Sequence, residues 1–268
     1  MKSAPGIGLA DVQAVYGGPE GQLWELIMGE QIHIGGFLSS MDLAETAGIE
    51  AGTKGVDLGC CNGAGMRFLV RFRHVARMQG VDATSRVVEQ GRQRCQQAGL
   101  ADRIQFTLAD VTSSGLASGS ADFVWGEDAW CYVVAKARLI SEAARIVKPG
   151  GTIAFTDWIE GPSGLSDAEA ERINRFMKFP YMESLNGYKA LLEKTGFTVS
   201  ETSDHTPEFA GYIDLYIKML TEQLTTDALR IIGFNMEMFQ AMGGEMMNMA
   251  KCAHEGKFGW GRFIGKKK

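Results

Sequence analysis

From residue 54 to residue 158 the chain alternates between two hydrophobic periods. Short segments with strand character occur at Gly55–Leu58, Arg77–Val81, Ile104–Leu108, Ala121–Trp125 and Thr152–Thr156. Between them, Met66–Phe72, Ser85–Ala98 and Ala135–Val147 repeat their apolar positions at helical spacing. Parallel strands need long crossover connections, so this alternation predicts a parallel sheet covered by helices. Further on, Gly187–Lys194 reads as a helix, Phe197–Thr202 as a sixth strand, and Phe258–Ile264 as a last strand joined antiparallel. The expected fold is α/β, a doubly wound seven-stranded sheet.

The flanks follow a different pattern. Residues 1–50 read as a helical N-terminal lid, and residues 51–268 as the main domain. In the lid, Gly17-Gly18-Pro19 breaks the chain, and Leu23, Trp24, Leu26 and Ile27 give a short amphipathic helix. A loop follows at Ile32–Gly36, and Ser39 or Ser40 is expected to cap a helix over Met41–Ala47. Residues 159–186, without a clear strand, and 207–255 read as cap insertions. The second holds seven of the 14 methionines and is expected to break at Gly243-Gly244. Methionine is flexible and polarizable. The stretch therefore reads as helical core, as a subunit contact in a homodimer, or as an adaptable apolar pocket.

Composition narrows the function classes. Glycine supplies 34 of 268 residues without a Gly-x-y period, and 45% of residues are hydrophobic, so collagen and disorder are excluded. The net charge is -5, and the only basic run is Lys266-Lys267-Lys268, which argues against a nucleic-acid partner. Five cysteines without a Cys-x-x-Cys pair argue against a disulfide framework and against a metal site. They fit a reducing, cytoplasmic location. No apolar run reaches the ~18 residues of a membrane span.

The chemistry gathers at the strand ends. Val56-Asp57-Leu58-Gly59-Cys60-Cys61-Asn62-Gly63-Ala64-Gly65 is a buried strand, a glycine-rich turn and a helix start. In doubly wound sheets, ligands sit beyond the carboxyl ends of the strands. Small residues let the backbone come close, and the helix N-terminus offers free N–H groups. Asp82 ends the second strand, where a carboxylate can accept both hydroxyls of a ribose. Asp110 ends the third, where it can accept an exocyclic amino group while Val111 N–H donates to a purine. Each alone reads equally as a loop carboxylate or a helix cap; together they describe a nucleoside site. Cys61 breaks the Gly-x-Gly-x-x-Gly spacing of a nicotinamide dehydrogenase.

These segments resemble the class I S-adenosylmethionine-dependent methyltransferases. The resemblance rests on Val56–Gly65, Gly80-Val81-Asp82, Leu108–Val111, Phe123-Val124-Trp125 and Arg145–Gly151. It implies S-adenosylmethionine as cofactor and a Rossmann-like methyltransferase fold. It places Asp57, Gly59, Cys61 and Gly63 against the methionine part, Asp82 and Ala83 at ribose and adenine, Asp110 and Val111 at the adenine edge, and Glu127 near the sulfonium or the acceptor. The family usually has glycine where this chain has Cys61, a change that costs little if the backbone there needs no positive φ.

Trp125–Tyr132 resembles the stretch after strand four in the sarcosine/dimethylglycine, phosphoethanolamine and tocopherol branch. Members of that branch often read Asp-Ala-x-x-His there, and Tyr132 stands at the histidine position. Either no base is needed or one comes from elsewhere, with His33 and Tyr16 of the lid as candidates beside Glu127. A nitrogen acceptor gains positive charge in the transfer, which aromatic faces stabilise. Trp130, Tyr132, Trp158 and Tyr181 are candidates for that role, and Arg175 for a substrate carboxylate. The expected function is methyl transfer to a small-molecule acceptor, preferably an amine such as sarcosine or dimethylglycine. The competing readings are C- or O-methylation of a larger apolar acceptor, and a nucleoside-binding scaffold without chemistry.

Overall fold

In the computed structural model, which describes residues 2–268, the seven expected strands and one short extra strand pair into one sheet. They are β1 (Lys54–Leu58), β2 (Arg77–Asp82), β3 (Ile104–Leu108), β4 (Ala121–Glu127), β5 (Val147–Glu160), β6 (Glu183–Ser184), β7 (Phe197–Asp204) and β8 (Phe258–Lys267). The sheet runs β3-β2-β1-β4-β5-β8-β7, with β8 antiparallel to both neighbours and β6 attached to β5. The order reverses between β1 and β4, which opens a crevice at their carboxyl ends. β1 is buried from Gly55 to Leu58, as a central strand covered on both faces must be.

The helices are α1 (Leu9–Gly17), α2 (Pro19–Met28), α3 (Gly36–Thr46), α4 (Ala64–Phe72), α5 (Ser85–Gln97), α6 (Lys136–Ile146), α7 (Asp167–Met177), α8 (Leu185–Lys194), α9 (Thr206–Lys218), α10 (Thr225–Ile231) and α11 (Met236–His254). One apolar cluster lies on the side of α3–α5, another on the side of α6 and α8. A third joins α2, α7, α9 and α11 over the sheet's edge. Among the described residues no helix is long and apolar enough to cross a membrane.

Four local expectations need correction. Lys148-Pro149-Gly150-Gly151, expected to stop the helix ahead of a fifth strand at Thr152, lies within that strand: β5 already starts at Val147, and a register shift against β4 absorbs these residues as a bulge. The two-residue β6 lies where no strand was legible. α11 runs unbroken through Gly243 and Gly244, because its packing against α9 and α7 outweighs the low helix propensity of two glycines. α3 starts at Gly36, so Ser39 and Ser40 sit inside it and cap nothing.

Two buried ionisable groups brace the segment after β4. Lys136 is fully buried at the start of α6, and its ammonium donates to the carbonyls of Cys131 (3.2 Å), Val133 (3.0 Å) and Tyr181 (3.0 Å). Asp157 on β5 is also fully buried; it accepts from Cys131 N–H at 3.0 Å and from the Tyr188 hydroxyl. Burial lowers Lys136 to about 8 and raises Asp157 to about 7. Unfolded Asp157 has lost its proton well below the pH at which the folded residue loses it. Its contribution to stability is therefore fully present in acid and declines as pH rises toward 7. We predict that urea unfolding across this range shows wild type losing about 1–3 kcal/mol relative to Asp157→Asn. A pH-independent difference would contradict the assignment.

Candidate active site

At the carboxyl ends of β1–β4 lies a cavity of about 310 Å³. Its floor is the turn after β1. Gly59 has φ +88°, and a Cβ there would lie 2.5 Å from the Cβ of Ala129, so only glycine fits. Cys61 has φ +45°, so the condition under which replacing glycine there costs little is not met. A side chain in the left-handed region costs roughly 1–2 kcal/mol. The turn is held by Asp82, whose Oδ2 accepts Cys61 N–H at 2.9 Å and whose Oδ1 accepts Thr84 N–H at 2.8 Å. Asp110 stands exposed at the end of β3, with Oδ1 accepting Thr112 N–H at 2.7 Å. Asp82, Ala83, Asp110 and Val111 all line the cavity.

Two further acids converge beside α4. Asp57 is 4% exposed and lines the cavity, and among the described residues no donor reaches its carboxylate. Burial first, and then the nearby Glu127 charge, push Asp57 well above the usual carboxylate range. Glu127 Oε2 points at Gly65, where a Cβ would lie 2.5 Å away. Its other oxygen, Oε1, accepts the Ser40 hydroxyl at 2.6 Å and lies 3.3 Å from His33 Nε2.

The roof comes from the described residues up to 40. Tyr16 in α1 donates to the hydroxyl of Tyr132 at 3.0 Å, the two rings edge to face, and both line the cavity. Burial pushes both phenols up, so they act as neutral hydrogen-bonding groups. Asp128 pins the roof: its Oδ2 accepts Ile34 N–H at 2.8 Å, and its Oδ1 accepts the Thr156 hydroxyl (2.9 Å) and the Trp260 indole (2.8 Å). Asn62 adds a bond to Glu30 O at 2.9 Å, and Arg67 one to the Glu30 carboxylate at 2.7 Å.

Residues 56–155 match the methyltransferase domain family. The chain carries a methyltransferase domain.

Its relatives span several acceptors. It is 29% identical over 165 residues to the methyltransferase GfsG of Streptomyces halstedii, covering 60% of this chain and 59% of that one. The chain thus spans about three-fifths of the length of the first curated relatives it matches. It is 27% identical to a dimethylglycine N-methyltransferase of Parasynechococcus marenigrum, covering 72% of each. Among solved structures, phosphoethanolamine N-methyltransferase 2 of Haemonchus contortus superposes with a TM-score of 0.84 at 20% identity, covering 95% of this chain and 58% of that one. The fold is that of the class I S-adenosylmethionine-dependent methyltransferases, and S-adenosylmethionine is the cofactor that goes with it.

The site of the methyltransferase domain fits that cofactor. Asp57 offers a buried, unpaired carboxylate to an ammonium, and the missing Cβ at Gly59 and Gly65 leaves room beside the turn. Asp82 and Asp110 keep acceptor capacity for hydroxyl and amino groups. Gly63 does not line the cavity; it is the left-handed residue that starts α4.

The expected acceptor residues divide. Tyr16, Tyr132 and Glu127 line the cavity, but five others do not. Trp130 is fully buried, stacked on Phe155, and donates its indole N–H to Leu58 O at 2.9 Å. Trp158 packs among Phe179, Phe209 and Phe258. Tyr181 covers the Lys136 ammonium at 3.8 Å. Arg175 is exposed on α7 and pairs with Glu171 one turn away. His33 is buried behind Glu127 and does not reach the cavity wall. Sequence reasoning missed Ser40, Asp128 and Asn62. Asp128 alone left a signal, as a second acid directly after the strand-end Glu127.

Because Trp130 belongs to the core, Trp130→Phe is predicted to lower unfolding free energy by about 1–3 kcal/mol, leaving Leu58 O unpaired. Affinity for S-adenosylhomocysteine should stay within error by calorimetry. A large affinity loss with intact stability would return Trp130 to the site.

Proposed function

We propose that this chain is an S-adenosylmethionine-dependent methyltransferase acting on a small molecule, with an amine as the preferred acceptor. The observation that carries this reading is the charge of the cavity. Its lining holds six acids (Glu30, Asp57, Asp82, Asp110, Glu127 and Asp128) and one base, the exposed Arg138. Such a wall suits a cationic donor and an acceptor that becomes cationic as the new bond forms, and it disfavours phosphate or carboxylate. With Arg175 turned away, an acceptor carboxylate lacks the counter-charge expected for it. Amines without a second anionic group therefore fit better than sarcosine or dimethylglycine.

When bound, S-adenosylmethionine would supply a methyl group on a positively charged sulfonium. The protein's own task is placement. Asp82 and the strained turn hold the cofactor side, while Tyr16 and Tyr132 narrow the acceptor side with neutral hydroxyls. Fixing donor and acceptor in line is worth up to roughly 7–11 kcal/mol of barrier.

A second reading has its own support. Tyr16 and Tyr132 back onto an apolar cluster containing Met177, Met182, Met246 and Met249. Side chains of this kind can repack around a bulky acceptor, which would suit C- or O-methylation. Release of S-adenosylhomocysteine should be measured with N-methylethanolamine, sarcosine, phosphoethanolamine and catechol. N-methylethanolamine should give the highest kcat/KM; turnover of catechol alone would favour the second reading. Asp82→Ala should weaken S-adenosylhomocysteine by more than ~1 kcal/mol, because its acceptors and the turn are both lost. Unchanged affinity would contradict the cofactor site.

A further inference from the structure

Glu127 has two oxygens with different surroundings. Oε1 is saturated from behind by Ser40 and His33, while Oε2 has no donor among the described residues and faces the cavity beside Gly65. The side chain is 7% exposed. A buried carboxylate with one oxygen fixed and one free is a directed acceptor for a proton or a cation.

The hydrogen-bond count behind it specifies a charge. His33 Nδ1 lies 3.1 Å from Ile34 O, which can only accept, so Nδ1 carries a hydrogen. Ser40 Oγ receives Gln31 Nε2–H at 2.9 Å and sends its single hydrogen to Glu127 at 2.6 Å. Nε2 faces that same Oγ at 3.1 Å and Glu127 Oε1 at 3.3 Å. Both contacts are attractive only when Nε2 also carries a hydrogen. The set closes as an imidazolium paired with an ionised Glu127, the arrangement that a buried pair needs to offset its desolvation. The other charged groups facing it are Asp128, whose carboxylate feels the His33 charge, and Asp57, which repels Glu127.

We propose that Glu127 is the group that takes the acceptor's proton, with His33 and Ser40 as positioning residues that hold it ionised and aimed. This rests on the amine reading above and supplies the base that Tyr132 does not provide. An N–H bond of the acceptor ammonium breaks and an O–H bond forms on Glu127 Oε2. The freed nitrogen lone pair forms the new N–C bond, and the electron pair of the broken S–C bond stays on sulfur. The proton leaves Glu127 to water once product has gone. His33, Ser40 and Gln31 all belong to the N-terminal segment that brings Tyr16. The carboxylate is therefore set only when that segment is seated.

Two measurements test this. Nitrogen-15 spectra of the histidine side chains should show His33 with both ring nitrogens protonated near neutral pH, assigned by its loss in His33→Gln, and neutral in Glu127→Gln. A neutral His33 in wild type would overturn the ion pair. With N-methylethanolamine, Glu127→Gln should lower kcat at least ~100-fold while S-adenosylhomocysteine affinity changes little. Ser40→Ala should be slow in acid and approach wild type in alkali. Parallel loss of affinity and rate in Glu127→Gln would make Glu127 a cofactor anchor, and a pH-independent defect in Ser40→Ala would make Ser40 merely structural; either overturns the proposal. If wild type binds S-adenosylhomocysteine but methylates none of the amines, the amine reading falls and the proton transfer with it, whatever the spectra show.

Discussion

The arrangement of this site depends on one buried carboxylate. Asp128 sits directly after β4 with φ +53°, a left-handed conformation that Asp tolerates better than most residues. Its side chain is buried, and leaving such a group unpaired costs several kcal/mol. Burial raises its pKa, and the surrounding donors and the His33 charge oppose that rise. The three donors come from β5, β8 and the loop before α3. One side chain thus ties β5, the antiparallel strand β8 and the roof to the same point. The bond from Ile34 to Asp128 adds to those of Ser40 and of Glu30 in fixing His33 and Ser40 relative to Glu127.

Seating the roof also changes the electrostatics. The turn after β1, the ends of β2 and β4, and the roof enclose Asp57, Asp82, Glu127 and Asp128 within a cavity of about 310 Å³. Coulomb interactions strengthen as water is removed. The two acids with satisfied backs, Asp82 and Asp128, shape the backbone. Asp57 and Oε2 of Glu127 keep free acceptor capacity, and they alone among these acids face the cavity without a donor from the chain. On the proposed reading one such carboxylate falls to the cofactor and one to the acceptor, where charge moves.

The sheet was legible because burial on both faces forces near-continuous apolar runs, and its crossovers need helical periods. That Gly59, Asp82 and Asp110 line one cavity was legible for a related reason: they stand at strand ends, and the strand order brings such ends together. The acceptor side was not. Trp130 and Trp158 look the same in sequence whether they line a cavity or fill a core, and only the partners of their indoles decide. Arg175 sits one turn from Glu171, and that local pair needs no substrate. Ser40 touches Glu127 across 87 residues of sequence, a separation at which spacing carries no information. The left-handed φ of Cys61 was hidden because the residue type argued against it, and Asp82 supplies the compensating bond from a different strand.

The two walls of the acceptor side differ in chemistry, and Tyr16 and Tyr132 stand between them. One wall is acidic, with Glu127 and Asp128 at the end of β4. The other is apolar, where Tyr132 packs edge to face on Phe179, and Phe179 on Trp158. A tyrosine suits this boundary, since its ring can lie on the apolar side while its hydroxyl bonds toward the polar one. A histidine at position 132 would bring a titratable group beside Asp128, already held above its usual range by burial. With Tyr132 neutral, the charge balance of the cavity rests on the carboxylates and on the His33 behind them. The loss of a base at one position and the presence of a buried histidine at another thus form one electrostatic design.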